Sequence, residues 1–189
     1  GNEGALATML EVELEVVQSV KERIRRHGQL AALYGRLARP DAALEHFVAL
    51  VMLEPDVPEH RGELQRLAGE VGRFDRLAEV LAAAADDCTD EALRVELLMQ
   101  AAIVHEDRLA ETPRAIELYL RVLALPSAAA GTHLAAARRV EPLLRSAGRT
   151  RERLDVLERL ANLEDGANAR AWALGEAAAL ASDLGEEGR

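Results

Sequence analysis

Apolar residues along this chain recur three and four positions apart, the spacing that places side chains on one stripe of an α-helix. Leu30, Ala31 and Tyr34 stand at i, i+1 and i+4, and Ala101, Ala102 and His105 repeat the arrangement. Val140, Glu141 and Leu144 give it a third time. After each stretch comes a short break and then a second amphipathic run. These second runs align on Ala43, Leu77, Ala115 and Arg153, at spacings of 34, 38 and 38 residues. A fifth anchor falls at Ala5, 38 residues before Ala43, and opens Ala5-Leu6-Ala7-Thr8-Met9-Leu10. Each unit therefore predicts a helix–turn–helix, with small residues where two backbones approach. No stretch alternates with period two. The starts of helices carry capping chemistry: Thr112 reads as a cap with Pro113 at the first helical position, and Thr89 precedes Asp90 and Glu91. Pro142 falls inside the first helix of the fourth unit and should kink or restart it near Arg138.

These residues carry a family resemblance. Leu30, Ala31 and Tyr34 in a first helix, Ala43, Phe47 and Leu50 in a second, and then Pro55 resemble the tetratricopeptide repeat (TPR). Tyr119 and Val122 repeat the second-helix marks, and Gly72 and Phe74 match the turn. The 38-residue spacings exceed the family period of about 34. Arg153 and Glu141 also depart from it, each standing where the family has a small residue. The fold class expected is all-α, a right-handed α-solenoid of antiparallel helix-turn-helix repeats with about ten helices. Its divisions are a half-repeat at 4–16, repeats at about 17–55, 56–88, 89–126 and 127–164, and a half-repeat at 165–189. The two half-repeats read as a segment of a longer array, because solenoids ordinarily close with polar caps.

Composition narrows the function. Leucine, alanine, glutamate and arginine dominate, and all are good helix formers. Aromatics make up only 3% of the chain, and four of the five (Tyr34, Phe47, Phe74 and Tyr119) sit at repeat-signature positions. Trp172 is the exception. A formal net charge of −10 argues against general nucleic-acid binding, which needs basic surface to release counterions. No run approaches the length of a membrane span, and Cys88 has no partner for a disulfide. The arginine-over-lysine and alanine-rich usage suggests a bacterial gene, and a cytoplasmic setting is expected because the N-terminal residues lack the order of a secretory signal.

Candidate chemistry is sparse. There is no glycine-rich phosphate loop and no His-Glu-x-x-His, and the five histidines are dispersed. His105 reads as a ring packed between helices, since no second ligand falls three or four residues away. Cys88, in Asp86-Asp87-Cys88-Thr89-Asp90, reads as an incidental residue of a solvated turn. No catalytic, cofactor or metal site is expected. The stretch 138–159 is locally basic, with seven arginines. It reads either as a dock for an acidic segment or as a solvated face laced with ion pairs.

The resemblance implies that first helices line the concave face. The partner-binding candidates are then Arg25, Arg66, Met99, Ile103, Glu106, Arg138, Arg145 and Trp172. This set mixes charge and apolar surface, as a groove for a peptide or helix would. The family's carboxylate clamp is not expected, because Gly28, Ala32, Gly62 and Arg66 occupy its places. The function expected is a protein–protein interaction scaffold, not an enzyme. The alternatives are a regulatory or sensor segment of a larger protein and an array that associates end to end.

Overall fold

In a computed structural model that describes residues 2–185, the amphipathic runs form ten α-helices and no strand among the described residues. They are α1 (Asn2–Val16), α2 (Val20–Arg36), α3 (Pro40–Leu53), α4 (Pro58–Val71) and α5 (Phe74–Asp87). Then follow α6 (Glu91–Asp107), α7 (Thr112–Ala124), α8 (Ala130–Ser146), α9 (Thr150–Leu163) and α10 (Ala167–Asp183). The part of the expected last half-repeat at 186–189 lies outside the described residues. The chain divides into two compact units, one ending at Leu97 and the other beginning at Leu98.

In the first unit α1 packs on α2, α2 on α3, α3 on α4, and α5 against both α3 and α4. Leu30, Leu33, Leu44, Leu50, Leu64 and Leu77 are fully buried there. Ala31, Ala43 and Ala68 are buried too, so helices close on one another where a side chain is only a methyl. In the second unit α8 packs between α7 and α9, and α10 packs on α9. Its core holds Leu98, Ile116, Leu118, Tyr119 and Leu144, with Ala102 and Ala115 at the small positions.

The turns inside the hairpins share one backbone device. Ala38, Gly72, Ala110 and Gly148 each adopt a positive φ, of 50°, 73°, 54° and 67°. Each stands five residues before its anchor (Ala43, Leu77, Ala115 or Arg153), so the left-handed turn follows the same 34- and 38-residue spacings. Glycine reaches this region without cost, whereas alanine brings its Cβ too near a carbonyl oxygen.

Helix starts differ from expectation at one place. Thr112 is already helical, and Glu111 precedes α7 without a side-chain cap. Pro113 supplies the start there, since its missing N–H falls among donors that have no intrahelical partner. At α6 the cap is Asp90, whose Oδ1 accepts from the Ala92 and Leu93 N–H groups at 2.8 and 3.1 Å. Ser19 caps α2 through the Glu22 N–H. α8 runs from Ala130 through Pro142 to Ser146 as one helix, so the expected restart near Arg138 does not occur. Packing of α8 on α7 and α9 holds the helix across the missing donor.

Candidate interaction surface

Every one of the eight sequence candidates lies on a first helix of a hairpin: Arg25 on α2, Arg66 on α4, Met99, Ile103 and Glu106 on α6, Arg138 and Arg145 on α8, and Trp172 on α10. Their settings differ. Arg25 is exposed, pairs with Glu22 at 2.7 Å, and lines a cleft of about 840 Å³ with Val20, Ile24 and Glu54. Arg66, also exposed, is held by Glu63 and Glu70, both at 2.9 Å. The Glu63 hydrogen bond is the main reason its pKa rises.

In the second unit Met99 and Ile103 are half-buried. Glu106 is not a free carboxylate. The Tyr119 hydroxyl donates to it at 2.6 Å and Arg139 at 2.7 Å, and Arg139 also reaches Asp107 at 3.3 Å. Burial, reinforced by the Glu106 carboxylate, pushes the Tyr119 hydroxyl pKa well up. Glu106 is the first cause of the rise at Arg139. These groups lock α6, α7 and α8 together and leave little of Glu106 for a partner.

Arg138 forms a fork with Glu164 in the α9–α10 connection, at 2.7 and 2.6 Å from Nε and Nη2. The guanidinium holds the Glu164 carboxyl below its usual range. The arginine remains exposed while the carboxylate is buried, so the pair presents a fixed guanidinium at the surface. Trp172 is 46% exposed. The four aromatics at signature positions are buried or half-buried, with Tyr34 and Tyr119 at 3% and 0% exposure.

The two departures from the repeat pattern meet each other. Arg153 Nε donates to Glu141 Oε1 at 2.7 Å, and both residues are buried, at 9% and 4% exposure. Arg145 joins Glu141 at 2.9 Å, and Arg153 Nη2 reaches Glu176 of α10 at 2.5 Å. Burial is the strongest single influence on Arg153 and pulls its pKa down, but the two carboxylates together reverse it, and the net shift is upward. The network matches no known sequence motif. Its only trace in the sequence is that two charged residues appear at small-residue positions of one repeat.

The charge of the basic stretch is largely paired within the chain, although several of its arginines are exposed. Arg138, Arg139, Arg145, Arg149 and Arg153 all pair with carboxylates, and Arg159 donates to the Leu123 carbonyl at 2.5 Å. Arg151 is exposed on α9.

His105, read as a ring packed between helices, and Cys88, read as incidental, are both engaged locally. His105 is buried, with Nδ1 at 2.8 Å from Glu111. Cys88 is buried rather than solvated, because its thiol turns to the Asp90 carbonyl at 3.3 Å and Arg94 clasps its own carbonyl. Among the described residues no group of three or more His, Cys, Asp or Glu is placed to hold a metal ion. Among the same residues no helix is long and apolar enough to cross a membrane.

No family model matches the chain. No curated protein matches it either. Among solved structures the chain is similar to nearly identical TPR-like repeats of a kinesin light chain from Podosopora anserina. That likeness covers 90% of each chain, at 16% identity and a TM-score of 0.49. A single-site variant of the same repeats is similar over 90% of this chain and 91% of that one, at 17% identity and a TM-score of 0.49. BtubC (BKLC) from P. vanneervenii is similar over 98% of this chain and 84% of that chain, at 16% identity and a TM-score of 0.45.

Proposed function

We propose that this protein is an interaction scaffold that holds a segment of a partner protein on the first helices of its second unit, around Trp172 and Arg138. The observation that carries the reading is Trp172. In a chain whose other aromatics serve packing, the one tryptophan stands 46% exposed on a first helix. Arg138, also on a first helix of the same unit, presents a guanidinium pre-oriented by Glu164. Tryptophan and arginine supply most of the large single-residue contributions at protein interfaces. The outer Nη1–Nη2 edge of that guanidinium, left over by the Glu164 fork, suits a carbonyl or carboxylate oxygen on the partner, and the indole suits an apolar side chain beside it. Arg145 adds exposed charge on α8, and Met99 and Ile103 add apolar surface on α6. Arg25 and Arg66 are exposed charges on α2 and α4 of the first unit, where they stand as candidates by themselves. Glu106 contributes by fixing Tyr119 and Arg139 rather than by contact.

The test is a pull-down with Trp172→Ala and Arg138→Ala. Both variants should lose most partner capture while helicity and melting temperature stay close to those of the parent. Normal capture by both variants would remove the first-helix face from the account.

A further inference from the structure

The second unit holds a small cleft of about 250 Å³ where α7, α8 and α9 meet. Leu123 of α7, His133 of α8, and Arg159, Asn162 and Leu163 of α9 line it. Leu123 is buried and Leu163 half-buried, and both give the cleft an apolar lining. Arg159 and Asn162 stand one turn apart on α9, and both are exposed. The Asn162 amide gives one N–H to the Glu158 carbonyl at 3.0 Å and keeps the other. His133 Nε2 donates to the Leu125 carbonyl at 2.9 Å, so Nδ1 of the neutral ring is left as an acceptor.

Arg159 differs from the paired arginines of its stretch. Arg138, Arg139, Arg145, Arg149 and Arg153 each bond a carboxylate. Arg159 instead gives one N–H to the neutral Leu123 carbonyl at 2.5 Å, and among the described residues no carboxylate pairs with it. Capping α7 does not use up its charge. The end of a helix carries about half a negative charge, against the full positive charge of a guanidinium, whose other N–H groups remain.

The cleft thus offers a cation, an amide donor and an apolar lining within the span of one residue. It is smaller than the roughly 300–1,000 Å³ of a cofactor pocket. An internal residue of a peptide has a side chain that is either aliphatic or acidic. Only the last residue of a chain presents an aliphatic side chain and a carboxylate together.

We propose that this cleft receives the C-terminal residue of a partner protein, a residue with a leucine-sized aliphatic side chain. The side chain rests against Leu123 and Leu163, the α-carboxylate meets Arg159 and Asn162, and His133 Nδ1 accepts the N–H of the same residue. The site lies on other side chains than Trp172 and Arg138 and does not depend on them.

NMR titration of the isotope-labelled whole chain tests it with three acetylated peptides. One is glycyl-glycyl-leucine as the free acid, the second is its C-terminal amide, and the third carries leucine followed by aspartate inside an amidated sequence. The free acid should shift the signals of His133, Asn162 and Leu163, and should bind at least about tenfold tighter than either other peptide. Arg159→Met should remove that preference, whereas Arg151→Met, at an exposed α9 arginine outside the cleft, should keep it. The peptide comparison on the parent chain decides the matter even where Arg159→Met loosens the end of α7. Equal binding of acid and amide, an internal peptide as tight as the free acid, no shift at the three residues, or an unchanged preference in a folded Arg159→Met would each overturn the proposal.

Discussion

Glu141 and Arg153 stand where the neighbouring repeats have Ala31, Ala102, Ala43 and Ala115. An isolated charge buried at such a position would be costly, and each is tolerated because the other is 2.7 Å away. The expected signature is non-additive. Glu141→Ala and Arg153→Ala should each destabilise the protein by about 2–4 kcal/mol in urea unfolding, since each leaves a buried charge short of a partner. The double variant restores small side chains at both positions and should be closer to the parent than either single variant. The sequence shows these residues as two separate departures from a pattern. Their pairing was not legible there, because it depends on how two helices face each other. A second inward-facing polar pair, His27 and His46, has Nδ1 atoms 3.1 Å apart and Tyr34 stacked on the His46 ring. Burial is the main cause that lowers the His27 pKa to about 4, with His46 and Arg23 adding to it, and burial also lowers His46. The folded rings are therefore neutral where the unfolded chain already binds protons. Stability should fall as pH drops from about 6.5 toward 4, because the unfolded imidazoles take up protons that the folded pair excludes. Melting scans of the parent and of His27→Leu should diverge across that window, with the variant the flatter of the two.

The hairpins are where sequence and structure agree most closely, because both the 3.6-residue stripe and the turn are local properties. The anchors spaced 34, 38 and 38 residues apart reappear in space as buried positions at the hairpin contacts. The positive-φ turn at Ala38 and Ala110 was hidden, since alanine gives no sign of it, whereas Gly72 and Gly148 do. Ala38→Gly should accordingly stabilise the α2–α3 hairpin by about 0.5–1 kcal/mol, a sign opposite to the usual effect of adding glycine, measurable by chemical denaturation. Pro142 was legible as an anomaly but its consequence was not. The sequence implied a kink or a restart near Arg138, and α8, packed on α7 and α9, runs through without a restart. Pro142→Ala returns an N–H to the Arg138 carbonyl and should raise stability by about 1–3 kcal/mol, visible as a higher melting temperature.

At the scale of the whole molecule, composition and repeat pattern make an all-α chain of stacked hairpins legible, and ten helices are observed among the described residues. The candidate surface is legible only in outline. First-helix membership follows from repeat register, but whether a side chain faces outward or is held by a neighbour depends on tertiary pairing. That is why Glu106 turns inward to Tyr119 and Arg139 while Trp172 remains exposed. The arginine-rich stretch shows the same limit, since its charge is mostly satisfied within the chain. Site-specific photo-crosslinking reads directly whether a partner lies on the first helices α8 and α10 of the second unit. A photo-reactive residue at position 172 or 138 should form a covalent adduct with the captured partner, and one at the exposed Glu117 on the second helix α7 should not. Adducts at 117 with none at 172 or 138 would contradict it.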